Sequence, residues 1–138
     1  MRFYAVGNQY LSSIQQGIQA FHCLGEMVSN RGSENAMVDE WLHNHKTLIC
    51  LNGGNNAKLE EFWDFLYISG HKNPYPFAKF HEDEQSLGGM LTCVGIIVPE
   101  EIYTADEFDL QGFPTDDPKL NPWEIELATR LKRMPVAR

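Results

Sequence analysis

Polar side chains that can bind a ligand or transfer a proton recur in the first helical segment of the sequence. Gln15, Gln19, His22 and Glu26 stand three or four residues apart, which places them on one side of an α-helix. Amides donate and accept hydrogen bonds, and imidazole takes up a proton near neutral pH. Because solvated helix faces show the same spacing, the pattern fits either a ligand-binding face or a solvated face.

Other patterns with known chemistry are incomplete. His43 and His45 are close in sequence, but the chain has no Cys-x-x-Cys and no His-Glu-x-x-His pattern, so we predict no metal site. The Asn-Gly-Gly-Asn loop at 52–55 follows an apolar segment, where α/β proteins present ligand groups. It lacks the spacing of glycine-rich nucleotide-binding motifs, so we read it as a turn and predict no cofactor.

Composition and charge narrow the functional classes further. The chain has 138 residues, of which 43% are apolar and 22% charged, values typical of one globular domain. Its net charge of −8 argues against binding to long nucleic acid, which requires basic side chains. No segment approaches the roughly 20 apolar residues of a membrane helix. The three cysteines are Cys23, Cys50 and Cys93. Because they are widely spaced and odd in number, we expect reduced thiols and a cytoplasmic location.

The order of the elements predicts an α/β fold. Apolar runs predict strands at 3–6, 47–51, 76–80 and 91–98, and amphipathic patterns predict helices at about 13–29 and 59–69. In the first helix, the expected core face is formed by Ile14, Ile18, Phe21, Leu24 or Gly25, and Val28. In the second, the residues expected to be buried are Leu59, Phe62, Trp63, Leu66 and Ile68.

The composition changes after residue 101. The stretch 104–120 is acidic and rich in turn-forming residues, and a last helix then begins with Asn121 as N-cap, Pro122 and Glu124. We therefore expect an α/β domain at 1–101, with an acidic loop and C-terminal helix at 102–138 packed on it.

Four segments carry a resemblance to a known family. They are 11–22, in which Gln19 precedes His22 by three residues; 41–51, a tryptophan leading into a strand; 59–62; and 91–101, in which Thr92 opens a strand that Pro99 ends. In this order they resemble the type 2 (archaeal and eukaryotic) peptidyl-tRNA hydrolases, including short phage-encoded relatives. The resemblance spans roughly residues 2 to 101.

The resemblance implies a small four-stranded mixed sheet flanked by helices, a homodimer or higher homo-oligomer, and hydrolysis of the ester between a peptide and the tRNA 3′ end. The family's threonine corresponds to Thr92 and its aspartate to Glu82 or Asp83, while its helix lysine corresponds to Gln15. A neutral amide donates a hydrogen bond of about half the strength of a charged one. The chain therefore departs from the family at the cationic residue.

This departure favours a catalytically degenerate relative that binds a nucleotide-like small molecule. The resemblance to phage-encoded relatives adds the expectation that it sequesters a host signal in the host cytoplasm. The alternatives are an active peptidyl-tRNA hydrolase and a protein-interaction module that uses the acidic extension. Residual catalysis would involve Thr92, Glu82, Asp83 and His22. The expected ligand-binding residues are Asn8, Gln9, Gln15, Gln19, His22 and Thr92. Neither Gln19 nor Thr92 is assigned to the core.

Overall fold

The computed structural model describes residues 1–30, 36–68, 73–82, 88–112 and 119–137. Its strands are β1 (Arg2–Gly7), β2 (Leu48–Asn52), β3 (Phe77–His81) and β4 (Leu91–Val98). The longer helices are α1 (Ser13–Asn30), α3 (Asn56–Ile68) and α6 (Pro122–Arg133). The short helical elements are α2 (Ala36–Glu40), which continues into a π-helical turn (Trp41–His45), α4 (Glu100–Tyr103) and α5 (Glu107–Leu110).

The four strands form one mixed sheet in the order β2-β1-β4-β3. The central strand β1 pairs parallel with β2 and antiparallel with β4, and β3 pairs antiparallel with β4 at the edge. Pro76 immediately precedes β3, and its carbonyl accepts a hydrogen bond from Ile97 N–H. The predicted α/β fold with a four-stranded mixed sheet and a C-terminal helix is therefore confirmed.

Each face of the sheet packs against its own set of helices. One apolar cluster joins β1 and β4 to α3 and α6 through residues such as Val94, Phe62 and Leu127. A second cluster joins the opposite face to α1 and the segment around Trp41. All eight residues of β4 are buried. This double coverage explains why β4 is an uninterrupted apolar run rather than an alternating one.

The C-terminal helix begins as predicted. The Asn121 side chain accepts a hydrogen bond from Glu124 N–H, the Glu124 carboxylate accepts one from Asn121 N–H, and Pro122 occupies the first turn. Glu124 also accepts a short hydrogen bond from the Tyr75 hydroxyl. Burial, together with this carboxylate, raises the pKa of the Tyr75 phenol. The helix buries its apolar stripe of Trp123, Leu127 and Leu131.

The predicted core face of α1 is wrong for its first three residues and holds in part for Leu24 and Val28. Ile14, Ile18 and Phe21 are 77%, 47% and 71% exposed, whereas Leu24 and Val28 are half-buried and Gly25 faces open space. The residues that pack against the sheet are instead Ala20, Cys23 and Met27.

The large apolar residues of α1 face outward because the helix packs closely against the sheet. A Cβ atom built on Gly95 of β4 would lie 2.8 Å from the Cys23 sulfur, so the helix approaches β4 where the strand has no side chain. Where the helix comes this close, it presents the small side chains of Ala20 and Cys23 to the sheet. Ile14, Ile18 and Phe21 face outward. A similar correction applies to α3, where Ile68 is exposed rather than buried.

The described part of the acidic stretch, 104–112, contains a short helix where the sequence predicts a loop. This helix is α5, whose N-cap Asp106 accepts a hydrogen bond from Asp109 N–H. This backbone hydrogen bond lowers the pKa of the exposed Asp106 carboxyl.

Candidate functional site

The N-terminus of α1 positions the first predicted site residue. Ser12 Oγ accepts a hydrogen bond from Gln15 N–H, and Gln15 Oε1 accepts one from Ser12 N–H, which forms a capping box. Gln15 is exposed and stands in the first helical turn. Gln15 therefore helps to cap its own helix.

This cap gives a direct stability prediction. Replacing Ser12 by Ala removes the acceptor for Gln15 N–H, and we expect the free energy of unfolding to fall by about 1 kcal/mol. Ser13→Ala is the matched control, because Ser13 is also exposed and is the first residue of the helix proper. It should change stability by less than about 0.5 kcal/mol. Urea denaturation of the two variants measures the difference, and equal midpoints would contradict the assignment of Ser12 as the cap.

One turn further along α1, Gln19 joins two other predicted site residues. Its Nε2 donates to Glu82 Oε2 over 2.9 Å, and its Oε1 accepts from the Thr92 hydroxyl over 2.9 Å. The Thr92 oxygen also lies 3.2 Å from the Phe80 carbonyl oxygen. Gln19 and Thr92 are 5% and 0% exposed, which corrects the expectation that neither belongs to the core. The amide of Gln19 thus bridges Thr92 to a carboxylate.

His22 lies on the next turn and on the surface. Its ring stacks on Phe80 with the centroids 4.7 Å apart and an interplanar angle of 14°. The ring of Phe21 lies edge-on to His22, with the two centroids 6.0 Å apart. His22 therefore borders the Gln19 network, because Phe80 contacts both His22 and Thr92.

The turn after β1 is held by Asn8. Its side-chain amide donates to the Leu91 carbonyl and to the Met90 sulfur, and its Oδ1 accepts from Tyr10 N–H. Its backbone N–H donates to the Thr92 carbonyl over 3.0 Å. Asn8 is 2% exposed, and its hydrogen bonds connect the β1 turn to the start of β4.

A cavity of about 500 Å³ opens beside this turn, at the carboxyl ends of the parallel strands β1 and β2. Polar and apolar residues both line it: Gly7, Asn8, Gln9, Leu11, Gln16, Leu51, Asn52, Pro135, Val136 and Ala137. The carboxyl ends of parallel strands are where open α/β sheets bind ligands, and this volume suits a small molecule.

The C-terminal segment forms one wall of this cavity, which the sequence reading missed. Asn52 N–H donates to the Pro135 carbonyl, and Ala137 N–H donates to the Cys50 carbonyl, so 135–137 lies antiparallel beside the edge strand β2. Two features of the sequence point weakly to this short strand. Pro135 lies just after the end of α6, and Val136 has the β-branched side chain favoured in strands.

Most of the predicted site residues thus fall into two groups rather than into one site. Gln19, Thr92 and Glu82 are in direct contact, and Asn8 and Gln9 line the cavity. His22 borders the network, Gln15 stands apart as a helix cap, and Asp83 lies outside the described residues. Gln16, which the sequence reading did not select, takes the helix position that faces the cavity.

The cysteines take no part in the hydrogen bonds of Gln19. Cys23 and Cys93 are buried together beneath α1, and all three cysteines are free thiols. A hydrogen bond with Cys23, reinforced by burial, raises the pKa of the Cys93 thiol well above its ordinary value. Across the described ranges, no three His, Cys, Asp or Glu side chains come together as a potential metal site.

Comparison with known proteins adds no assignment. No protein-family model matches the chain. No curated protein matches it either. Among the helices in the described ranges, none has the length and apolar character needed to cross a membrane.

Proposed function

We propose that this chain is a binding protein for a nucleotide-like small molecule, built on a fold similar to that of type 2 peptidyl-tRNA hydrolases and lacking their catalysis. The observation that supports this most strongly is the environment of Thr92. Its hydroxyl lies within hydrogen-bonding distance of Gln19 Oε1 and of the Phe80 carbonyl, and both of these acceptors are neutral and poor bases. Such contacts hold a hydroxyl in place and do not remove its proton.

The distribution of positive charge also favours binding without hydrolysis. Ester hydrolysis develops negative charge on a carbonyl oxygen, which a nearby cation stabilises. At the position of the family's lysine, Gln15 caps the helix instead. Several basic side chains make contacts elsewhere: Arg2 over Tyr103, Lys79 over Trp63, Arg130 over Phe65, and Lys132 on the Ala105 carbonyl.

The cavity beside the β1 turn has the character of a site for a base and sugar. Amide groups from Gln9, Gln16 and Asn52 stand beside the apolar surface of Leu11 and its neighbours. Amides can pair with the edge of a nucleobase and with ribose hydroxyls, while apolar walls cover its faces. In a phage-encoded protein, such binding would sequester a host nucleotide signal.

Removal of residues 135–138 is expected to abolish most of this binding. The truncation deletes the C-terminal wall of the cavity, and we expect the affinity for adenosine monophosphate, used as the probe, to fall about tenfold or more, equivalent to roughly 1.4 kcal/mol. Deleting residue 138 alone is the matched control and should leave the affinity unchanged. Calorimetric titration measures the affinity of both truncated chains. Equal binding by the two would show that the nucleotide does not bind in this cavity.

The purified wild-type chain also tests the alternative function, hydrolysis of peptidyl-tRNA. We expect the wild-type chain to cleave peptidyl-tRNA no faster than background. Turnover comparable to that of a lysine-bearing relative, assayed in parallel, would contradict the binding-only proposal. Gln15→Lys restores the family's cation, and any cleavage gained by this variant would show that the missing charge limits the reaction.

A further inference from the structure

The loop between β2 and α3 places a lysine close to the cavity beside the β1 turn. A Cβ atom built on Gly54 would lie 2.7 Å from Cδ of Lys58, so the side chain of this lysine runs directly over the glycine. The φ angle of Gly54 is 86°, a backbone conformation that glycine adopts without steric cost. The missing side chain of Gly54 leaves the space that the aliphatic part of Lys58 occupies.

Gly54 in turn contacts two residues of the cavity wall. Its carbonyl accepts a hydrogen bond from Gln9 N–H over 2.8 Å, and its N–H donates to Asn52 Oδ1 over 2.9 Å. Gln9 and Asn52 both line the cavity. The ammonium group of Lys58 is two bonds beyond Cδ, at the end of a flexible side chain, so it can reach a group that projects from the cavity.

The contacts of Lys58 within the described chain do not explain its presence. The side chain is exposed, and its ammonium group has no ion pair and no hydrogen bond among the described residues. Lys58 is the third residue of α3, where the positive end of the helix dipole disfavours a cation. The stability of α3 therefore does not account for a lysine at this position.

The cavity itself supplies no charge to a ligand. None of the described residues that line it is Lys, Arg, Asp or Glu. Such a lining suits an uncharged base and sugar, whereas a phosphate monoester carries a charge of about −1.5 to −2 at pH 7. The net charge of −8 repels an anion from most of the molecular surface. A phosphate group attached to that sugar therefore requires a local cation outside the cavity.

We propose that Lys58 binds the phosphate group of a nucleotide whose base and sugar occupy this cavity. The inference rests on the proposed function and makes it more specific, because the ligand is then a nucleoside phosphate rather than a nucleoside. The phosphate lies at the mouth of the cavity, beside Gly54. The ammonium group donates charge-assisted hydrogen bonds to the phosphate oxygens.

Calorimetric titration with adenosine monophosphate and with adenosine tests this assignment, because the two probes differ only in the phosphate. Lys58→Gln keeps a long polar side chain and removes its charge. We expect this variant to bind adenosine monophosphate about fivefold more weakly than the wild-type chain does, the effect of losing one solvated ion pair. Its affinity for adenosine should be unchanged.

Lys46→Gln is the matched control. Lys46 is also exposed, and the substitution removes the same charge. Lys46 precedes the amino end of β2, whereas the cavity lies at the carboxyl end of this strand. The control should keep the wild-type affinity for both probes. Thermal melting should show that both variants remain folded.

Two further measurements identify the charge of Lys58 as the cause. Lys58→Arg retains the charge and should retain most of the affinity for adenosine monophosphate. The difference between the wild-type chain and Lys58→Gln should become smaller as added salt screens the ion pair.

The outcomes separate this proposal from the proposed function. If adenosine monophosphate binds equally to the wild-type chain and to Lys58→Gln, Lys58 is not part of the site, and the cavity remains the site. An equal loss of both probes in Lys58→Gln, or the same loss in Lys46→Gln, would also overturn the role of Lys58, because neither effect comes from a phosphate contact. A wild-type chain that binds neither probe would overturn both proposals.

Discussion

Aspartate in place of Ala20 is expected to prevent folding, whereas aspartate in place of Ile18 should leave the monomer folded. Ala20 is 1% exposed and packs against the sheet beside Cys23. A carboxylate there would be buried without a partner, which costs several kcal/mol and is comparable to the total stability of a small domain. At Ile18, nearly half of the side chain already faces solvent.

Far-ultraviolet circular dichroism and thermal melting of the dilute variants separate the two cases. We expect Ile18→Asp to melt cooperatively near the wild-type temperature, with a change of less than about 0.5 kcal/mol in the free energy of unfolding. Ala20→Asp should be insoluble or lack a cooperative transition. A stable Ala20→Asp variant beside an unfolded Ile18→Asp variant would place the core face of α1 where the hydrophobic pattern first put it.

The hydrogen bond between Gln19 and Thr92 gives the second large effect. Thr92→Val keeps the shape of the side chain but leaves Gln19 Oε1 buried without its donor, so we expect a loss of about 1–3 kcal/mol in the free energy of unfolding. Gln19→Leu likewise removes a partner from Thr92 and from Glu82. Because the double variant leaves fewer buried polar groups unpaired, its cost should be smaller than the sum of the single costs.

A double-mutant cycle measured by urea denaturation checks this coupling, which we expect to be about 0.5–3 kcal/mol. Thr104→Val is the matched control, since the Thr104 hydroxyl donates to the Glu100 carbonyl on the exposed surface. It should cost less than about 0.5 kcal/mol. Strictly additive costs for Gln19 and Thr92 would mean that the network contributes nothing beyond the separate packing of its members.

The sequence predicts the strands of this protein better than the orientation of its first helix. β4 is a continuous apolar run between turn residues, and only a strand covered on both faces explains it. In α1, two apolar sets are available: a large set of Ile14, Ile18 and Phe21, and a second set in which the small residues Ala20 and Cys23 precede Met27. Hydrophobic spacing favours the large set, but the absence of a side chain at Gly95 brings the helix too close for it. That information belongs to a distant strand and is not visible within the helix.

The candidate site, like the fold, was predicted only in part from the sequence. Gln19, Thr92 and Glu82 were selected as site residues through the resemblance to a family, but the hydrogen bonds that join them were not predicted. The cavity wall at 135–137 was not anticipated, because its contacts with β2 are backbone hydrogen bonds that carry no side-chain pattern. The role of Gln15 was missed because a capping residue and a ligand-binding residue use the same amide group.

The most direct test of the proposed function is a mass-spectrometric survey of the small molecules released when the purified protein is denatured by heat. We expect an intact nucleotide-like molecule to be recovered from the full chain and to be lost from the chain truncated after residue 134. The released molecule, added back to the ligand-free full chain, should bind again without being cleaved. A clean full-length protein that binds no nucleotide and hydrolyses peptidyl-tRNA would contradict the account.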